Sequence, residues 1–343
     1  MAPALRYRQY VLAEAAGGPC ELWEATAKEL TDLGLSANVA HQTVAFRNSL
    51  DLDEEYSKLG KAGIRIVTDG DDEYPWLLKQ AINYPRAILV KGKLQGYDHA
   101  VAIVGSRRAT ALGKAFSFEI AEALGQEGVA VVSGAARGID TAAHWGAVEA
   151  GGITFGILGC GLDVIYPPEN RKLFREIEQH GALISEYPPG TAPLPMNFPA
   201  RNRIVAGMCQ GIVVVEAGER SGALITADFA LEYGRDVFAV PGNSKQQNSR
   251  GANKLIKQGA FLVESADDIL DILGIERSTR LKQYNLSQRE IALLDNLGWE
   301  AKRMDEILRD TNESVAIVAA LLLSLEISGF IKKDLSGCYL RVR

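Results

Sequence analysis

The sequence predicts an α/β protein built on a Rossmann-like, doubly wound, mostly parallel sheet, with a small helical module before it and a winged-helix-like module after it. Three observations predict this. Short apolar runs alternate with amphipathic stretches of helical length across the middle of the chain, the pattern of buried strands joined by crossover helices. Almost every run ends in glycine, serine or an acid, so the carboxyl edge of the sheet is rich in tight turns. The tail reads as three helices followed by a hairpin, a helix-turn-helix variant.

The elements follow in order. Residues 1–60 show apolar positions at helical spacing in ELWEATAKELTDLG, and Ser36 suits the N-cap of a helix starting near Ala37. No strand pattern interrupts them, so they form a helical module of helix-hairpin-helix or SAM-like packing. Residues 61–275 form the Rossmann-like domain. Its lead-in is GIRIVT, the Tyr74-Pro75 turn and RAILVKG. Its strands are VAIVG, VAVVSG, ITFGILG, LISEY, GIVVVEA, DVFAVPG and AFLVES. A helix and the polar stretch ERSTRLKQYN then lead to residues 287–343, the winged-helix-like domain: a helix from Gln288, one around MDEIL, one through SVAIVAALLLSLEISG, and FIKKDLSGCYLRV as a hairpin. The third helix, which reads bases in winged-helix proteins, carries no basic residue here, so protein contact or regulation is the expected role.

No apolar run approaches the ~20 residues of a membrane helix, and the N-terminus has no basic start followed by an apolar block, so a cytoplasmic protein without a membrane partner is expected. Cys20, Cys160, Cys209 and Cys338 form no CxxC pair and the four histidines are scattered, so neither a metal site nor a cofactor is expected. The net charge is −6. Basic residues nevertheless collect in three acid-free stretches: Arg107, Arg108 and Lys114 in 99–118; Arg201 and Arg203 in 187–215; Lys245, Arg250, Lys254 and Lys257 in 237–263. An acidic body with basic, glycine-rich loops suits a polyanion held at one site.

The motifs give that site its chemistry. In VAIVGSRRAT, Gly105 permits a sharp turn, Ser106 offers a hydroxyl, Arg107 offers a forked guanidinium, and a helix N-terminus follows. The loop is neither G-x-G-x-x-G nor a P-loop, yet it suits a phosphate. In VVSGAARGIDTAAHWGA, Gly134 ends a strand, and Arg137 and Asp140 open a helix. Ser133, Asp140 and His144 have triad chemistry, but an i,i+4 Asp–His spacing reads as helix stabilisation rather than hydrolysis. In LGCGLDVIYPPENRKLF, Arg171, Lys172 and Phe174 set cations beside an aromatic, a match to a phosphate and a stacked base of a single strand. NFPARNRIVAG supplies Arg201 and Arg203, and VVVEAGERSGALIT supplies Glu216, Ser221, Gly222 and Thr226 at another strand-to-helix turn. No carboxylate pair is placed for acid–base work, so the chain is not expected to be an enzyme.

Taken in order, IVGSRRAT, SGAARGIDTAAH, GCGLDVIYPPEN, SEYPPGT, FPARNRIVAG, VVEAGERSGALITA and GRDVFAVPG followed by GANKLIKQGA resemble the DprA/Smf family of bacterial DNA-processing proteins, strongly over residues ~55–275. The resemblance implies a Rossmann-like domain that binds single-stranded DNA without strong sequence preference, forms a homodimer, and loads the RecA recombinase in natural transformation and recombination. It places the DNA-contacting arginine on Arg107, with Gly105 and Ser106 beside it, and a second basic contact on Arg171, with Phe174 near. It implicates the segment with Asn253, Leu255, Ile256 and Ala260 in dimer or partner contact. The chain has Gly207-Met208 where many members have Gly-Leu. The competing reading is a Rossmann-like enzyme or sensor for a nucleoside monophosphate or nucleotide sugar. Such proteins carry a P-G-G-x-G-T loop, and VPGNSKQQNSRG offers none. A transcription regulator would need a basic third helix in the tail.

Overall fold

The computed structural model describes residues 8–94, 97–277, 287–297, 301–311, 313–327, 330–333 and 337–341. The chain divides into two compact units, Met1–Arg277 and Ser278–Arg343.

The first unit begins with α1 (Arg8–Ala16), α2 (Pro19–Glu24), α3 (Ala27–Asp32), α4 (Ala37–Asn48) and α5 (Leu52–Lys61). Thr26 and Glu29 form a capping box on α3. Ser36 caps α4 as its sequence position suggests, its hydroxyl accepting from Val39 N at 3.4 Å. Leu12, Ala25, Leu30, Leu35 and Ala40 bury together between these helices.

A nine-stranded sheet follows: β1 (Arg65–Thr68), β2 (Ala87–Gly92), β3 (Ala100–Val104), β4 (Ala130–Ser133), β5 (Thr154–Leu158), β6 (Gly181–Ser185), β7 (Gly211–Val214), β8 (Asp236–Ala239) and β9 (Phe261–Leu262). Its spatial order is β1-β2-β6-β5-β4-β3-β7-β8-β9. The seven strands from β6 to β9 pair in parallel and coincide with the seven apolar runs of the sequence. The lead-in contributes β1 and β2 as antiparallel strands on the β6 side, joined through the short helix α6 (Trp76–Lys79).

The central strands are buried on both faces, which is why they read as unbroken apolar runs rather than alternating ones. Val101 and Ile103 of β3 enter one core with Ile120 and Leu124 of α7 (Ala111–Gln126), Ile139 and Ala143 of α8 (Ile139–Glu149) and Ile269 of α13 (Ala266–Leu273). Ala100, Ala102 and Val104 of the same strand enter the other, with Ile204 of α10 (Asn197–Gly207), Ala223 and Ala227 of α11 (Gly222–Glu232) and Leu255 of α12 (Arg250–Lys257). Helix α9 (Arg171–His180) packs Leu173, Phe174 and Ile177 into a third cluster. The chain leaves β3 toward β4 on one side and returns to β7 on the other. The carboxyl ends of β3 and β7 therefore flank the topological switch point, where open α/β sheets leave a crevice for ligand.

His144 on α8 is fully buried, and burial, with Arg201 adding to it, pushes its imidazole down to about 3. Thr154 donates its hydroxyl to Val131 O at 2.8 Å. The 2.7 Å contact between Nδ1 and Thr154 Oγ1 therefore requires the proton on Nδ1, leaving the buried Nε2 without a partner. The folded pKa lies below the unfolded one, so this stability is present above about 6.5 and is lost as pH falls toward 3. Unfolding free energy should drop by about 1.4 kcal/mol per pH unit in that window. Chemical denaturation as a function of pH checks it, and the His144→Gln variant should show a correspondingly shallower slope.

The second unit is a winged helix: α14 (Gln288–Leu297), α15 (Met304–Thr311), α16 (Val315–Ile327) and the antiparallel pair β10 (Ile331–Lys333) and β11 (Tyr339–Arg341). Val318, Leu322 and Leu325 of α16 enter its core. Val315, Ala316, Ala319, Ala320 and Leu323 face outward together with Glu326, so the exposed face of the third helix is mostly apolar and, among the described residues, carries no basic side chain. No helix among the described residues is long and apolar enough to cross a membrane.

Candidate nucleic-acid interface

A cavity of about 620 Å³ lies at the switch point. Its first wall is the turn after β3. Ser106 N donates to Glu216 O at 2.7 Å and Val215 N to Val104 O at 3.1 Å, which ties this turn to the one after β7. The Glu216 carboxylate accepts from Thr110 N at 3.0 Å and from the Thr110 hydroxyl, and Thr110 caps α7. Gly138, at φ +81°, packs so closely on this turn that a Cβ there would run into Ser106 O. Arg107 is left exposed above the turn.

The second wall follows β4. Asp140, in the first turn of α8, accepts from Gly134 N at 3.1 Å and Ala136 N at 3.3 Å through the same oxygen. Asn170, from the Y-P-x-x-N stretch, holds this turn from behind by donating to Ala135 O at 3.1 Å and Thr141 Oγ1 at 2.9 Å. Arg201 of α10 donates Nη1 to Gly134 O at 2.8 Å and Nε to Asn202 Oδ1 at 3.2 Å. Its Nη2 has no partner among the described residues. A Cβ on Gly134 would lie 2.5 Å from Arg201 Nη2 and 2.7 Å from Asp140 Oδ2, so glycine is what lets guanidinium and carboxylate converge. Arg201 is 4 % exposed and Asp140 6 %. Burial pushes the Asp140 carboxyl up, against the pull of Arg201, Arg107 and the backbone N–H groups. Burial likewise pushes Arg201 down to about 10.

The remaining walls complete the chemistry. The Tyr166 and Phe198 rings lie 5.6 Å apart at 36°, and the Arg107 guanidinium sits 5.0 Å over Phe198. Opposite, Ser221 caps α11 and Arg220 stands beside it, while Asn202 Nδ2 donates to Gly222 O at 3.1 Å. Arg107, Arg201 and Arg220, a helix start and two aromatic faces thus line one space, which can hold a phosphate and an unstacked base together.

Of the residues expected from the sequence, the structure brings Gly105, Ser106, Arg107, Gly134 and Arg201 to this cavity. It places others elsewhere. Arg203 is buried in an ion pair with Glu186, away from the cavity lining. Phe174 is 3 % exposed in the core and so cannot stack on a base. Arg137 is exposed but forks onto Glu169, a partner that offsets its charge. Arg171 and Lys172 are exposed at the start of α9 outside the cavity lining, with Lys172 Nζ 5.4 Å over the Trp145 ring. In the segment expected to meet a partner, Leu255 is buried, and Asn253 clamps Gly242 through bonds of 2.8 and 3.1 Å. Ile256 and Ala260 are partly accessible, and Phe261 and Leu262 are exposed on the edge strand β9.

The triad is not assembled. The Ser133 hydroxyl donates to Ile103 O at 2.6 Å, His144 pairs with Thr154, and Asp140 holds backbone amides. No metal-binding group of side chains occurs among the described residues. Tyr166, Phe198, Arg220 and Asn202 are site residues the sequence did not single out, and Asp140 was read there only as a helix-opening acid. The signal available for the first two was an aromatic beside each basic or proline-rich turn. A larger cavity of about 1110 Å³ lies among Leu12, Trp23, Phe46 and their neighbours in the N-terminal helices, but it is apolar and lacks such an array of cations.

Comparison with known proteins adds to this geometry. Residues 65–274 match the family described as DNA recombination-mediator protein A, and residues 279–334 match the DprA winged helix domain. The chain is 36% identical over 326 residues to Protein Smf of Escherichia coli, covering 92% of this chain and 87% of that protein. It is 46% identical over 201 residues to the DNA processing protein DprA of Streptococcus pneumoniae, covering 58% of this chain and 71% of that protein. Among solved structures, DprA from Streptococcus pneumoniae superposes with a TM-score of 0.67 at 37% identity over 77% of this chain and 92% of that one. DNA processing protein A from Helicobacter pylori, solved for its single-stranded DNA binding mode, gives 0.56 at 28% identity over 61% and 95%.

Proposed function

Because the chain belongs to the DNA recombination-mediator protein A family, the DprA/Smf proteins, we propose that it binds single-stranded DNA in the cavity between the ends of β3 and β7. The observation that carries this reading is the convergence of Arg107, Arg201 and Arg220 with the Tyr166–Phe198 ring pair in one space. The arginines grip phosphate, and the rings stack on a base whatever its identity, so strong sequence preference is not expected. Arg171 and Lys172 extend the basic surface along the strand beyond the cavity. The protein acts without catalysis or cofactor, as a cytoplasmic homodimer that presents the strand to RecA in natural transformation and recombination. The family resemblance supports that part of the reading, and the exposed edge at β9 beside Ile256 and Ala260 suits the contact between copies.

Fluorescence anisotropy with labelled oligo-dT and a duplex of equal length, at two salt concentrations, tests it. The single strand should bind more tightly, and its affinity should fall steeply with salt because the contacts are to phosphate. Arg107→Ala should weaken binding by about 1–3 kcal/mol, roughly 5- to 150-fold. Wild-type affinity in that variant would remove the cavity from the account. No preference for the single strand would favour a mononucleotide ligand in the same cavity, to be sought with nucleoside monophosphates.

A further inference from the structure

We propose that Asp140 couples phosphate binding in this cavity to the uptake of one proton, so that the strand is held most tightly when Asp140 is protonated. The inference rests on the reading that phosphate enters the cavity, and it concerns what that entry does to the single acid found there.

Among the residues lining the cavity Asp140 is the only carboxylate, set against three arginines. One of its oxygens is fully engaged by the amides of Gly134 and Ala136. The other accepts no hydrogen bond among the described residues, although the side chain is almost wholly buried. Arg201 converges with it over Gly134 but makes no direct ion pair with it. The groups facing Asp140 are few. Arg201 comes from α10 and Arg107 from the turn after β3; the β4–α8 turn contributes the Gly134 and Ala136 amides, and its one charged side chain, Arg137, is paired with Glu169. His144, one turn along α8, is buried and held neutral by that burial. Glu216, in the turn after β7 and outside the cavity lining, spends its carboxylate on Thr110.

A phosphodiester carries one negative charge and no proton to donate. Brought to Arg201 Nη2, it sets its oxygens near an ionised carboxylate that is itself almost wholly buried, where like charges repel more strongly than in open water. It also takes the guanidinium that balanced Asp140. Both effects raise the affinity of Asp140 for a proton when the site fills, in line with the direction burial already drives it. A proton from solvent then bonds to the free Asp140 oxygen, turning an acceptor into a donor that can face a phosphate oxygen. No covalent bond of the strand changes. By reciprocity, the same coupling makes affinity depend on pH.

The test is calorimetric titration of the full chain with unphosphorylated oligo-dT in buffers of different ionisation enthalpy, from pH 6 to 8. Such an oligonucleotide has no titrating terminal phosphate. Net proton uptake is expected, with affinity falling up to about tenfold per pH unit as pH rises. Asp140→Asn provides the second arm. Two backbone N–H groups fix which side of the amide must be oxygen, so its NH2 faces the cavity as a permanent donor. That variant should bind at pH 8 at least as tightly as wild type, with a flat pH profile and no proton uptake. Binding by wild type without proton uptake overturns the coupling alone, whether or not the variant folds. Uptake that persists in a folded Asp140→Asn assigns the proton to another group and likewise overturns it. If wild type binds no oligo-dT at any pH, the cavity reading falls, and the coupling with it.

Discussion

Replacing Arg201 with methionine is expected to lower folding stability by about 3–5 kcal/mol, the scale for leaving a buried charge without its partner. The guanidinium is 4 % exposed, holds Gly134 O, and is the main positive charge acting on Asp140. Without it only the Gly134 and Ala136 amides and the more distant Arg107 favour the ionised carboxyl against its burial. Protonation limits the damage, so the cost should be larger at pH 8 than at pH 5. The Asp140→Asn/Arg201→Met double variant removes the stranded charge as well and should regain a substantial part of the loss. Urea unfolding of wild type, both single variants and the double variant measures the coupling directly. Additive losses, with no recovery in the double variant, would show that the two side chains do not depend on each other. The Arg201→Met variant should also lose most of its affinity for oligo-dT.

Gly138→Ala is the second large effect. Gly138 and Gly128 share a positive φ, +81° and +78°, and Gly138 combines it with ψ −120°, a region open in practice to glycine alone. A Cβ at Gly128 meets nothing within 4 Å, whereas one at Gly138 runs into the Ser106 carbonyl and lies 3.0 Å from the Arg107 backbone. Gly128→Ala should therefore cost only the left-handed backbone strain, about 1 kcal/mol. Gly138→Ala adds a clash with main chain that cannot rotate away, for a total of about 2–4 kcal/mol. It should also weaken single-strand binding, because the turn that must shift carries Arg107. Equal losses of stability in the two variants, measured by chemical denaturation, would show that the close approach is not what demands glycine at position 138.

The sheet was legible because the parallel strands other than the edge strand β9 are buried on both faces and so appear as unbroken apolar runs. Strands β1 and β2 were legible only as short apolar pieces, since nothing local states that they turn back antiparallel onto β6. The turns at Gly105 and Gly134 were legible for the same reason as the strands that end in them. Helix phase was not. Arg201 and Arg203 lie two residues apart on α10, roughly 200° around the axis, so one enters the cavity while the other reaches Glu186 on a different side. On α9, Leu173, Phe174 and Ile177 form the inward stripe, which takes Phe174 into the core and leaves Arg171 and Lys172 outside. The ion pair of Arg137 was not legible, because the sequence does not show that Glu169 folds against it. Tyr166 and Phe198 are far apart in the chain and become one ring pair only when the β5–α9 loop meets the start of α10.

Photo-crosslinking would locate the strand at the cavity between the ends of β3 and β7. Full-length protein would be irradiated with an oligonucleotide carrying 5-iododeoxyuridine, then digested and mapped by mass spectrometry. Adducts are expected on Tyr166 or Phe198, lost when unlabelled oligo-dT competes and reduced in Arg107→Ala. Adducts confined to the winged-helix unit or the N-terminal helices, with none in the segments around residues 166 and 198, would contradict that placement.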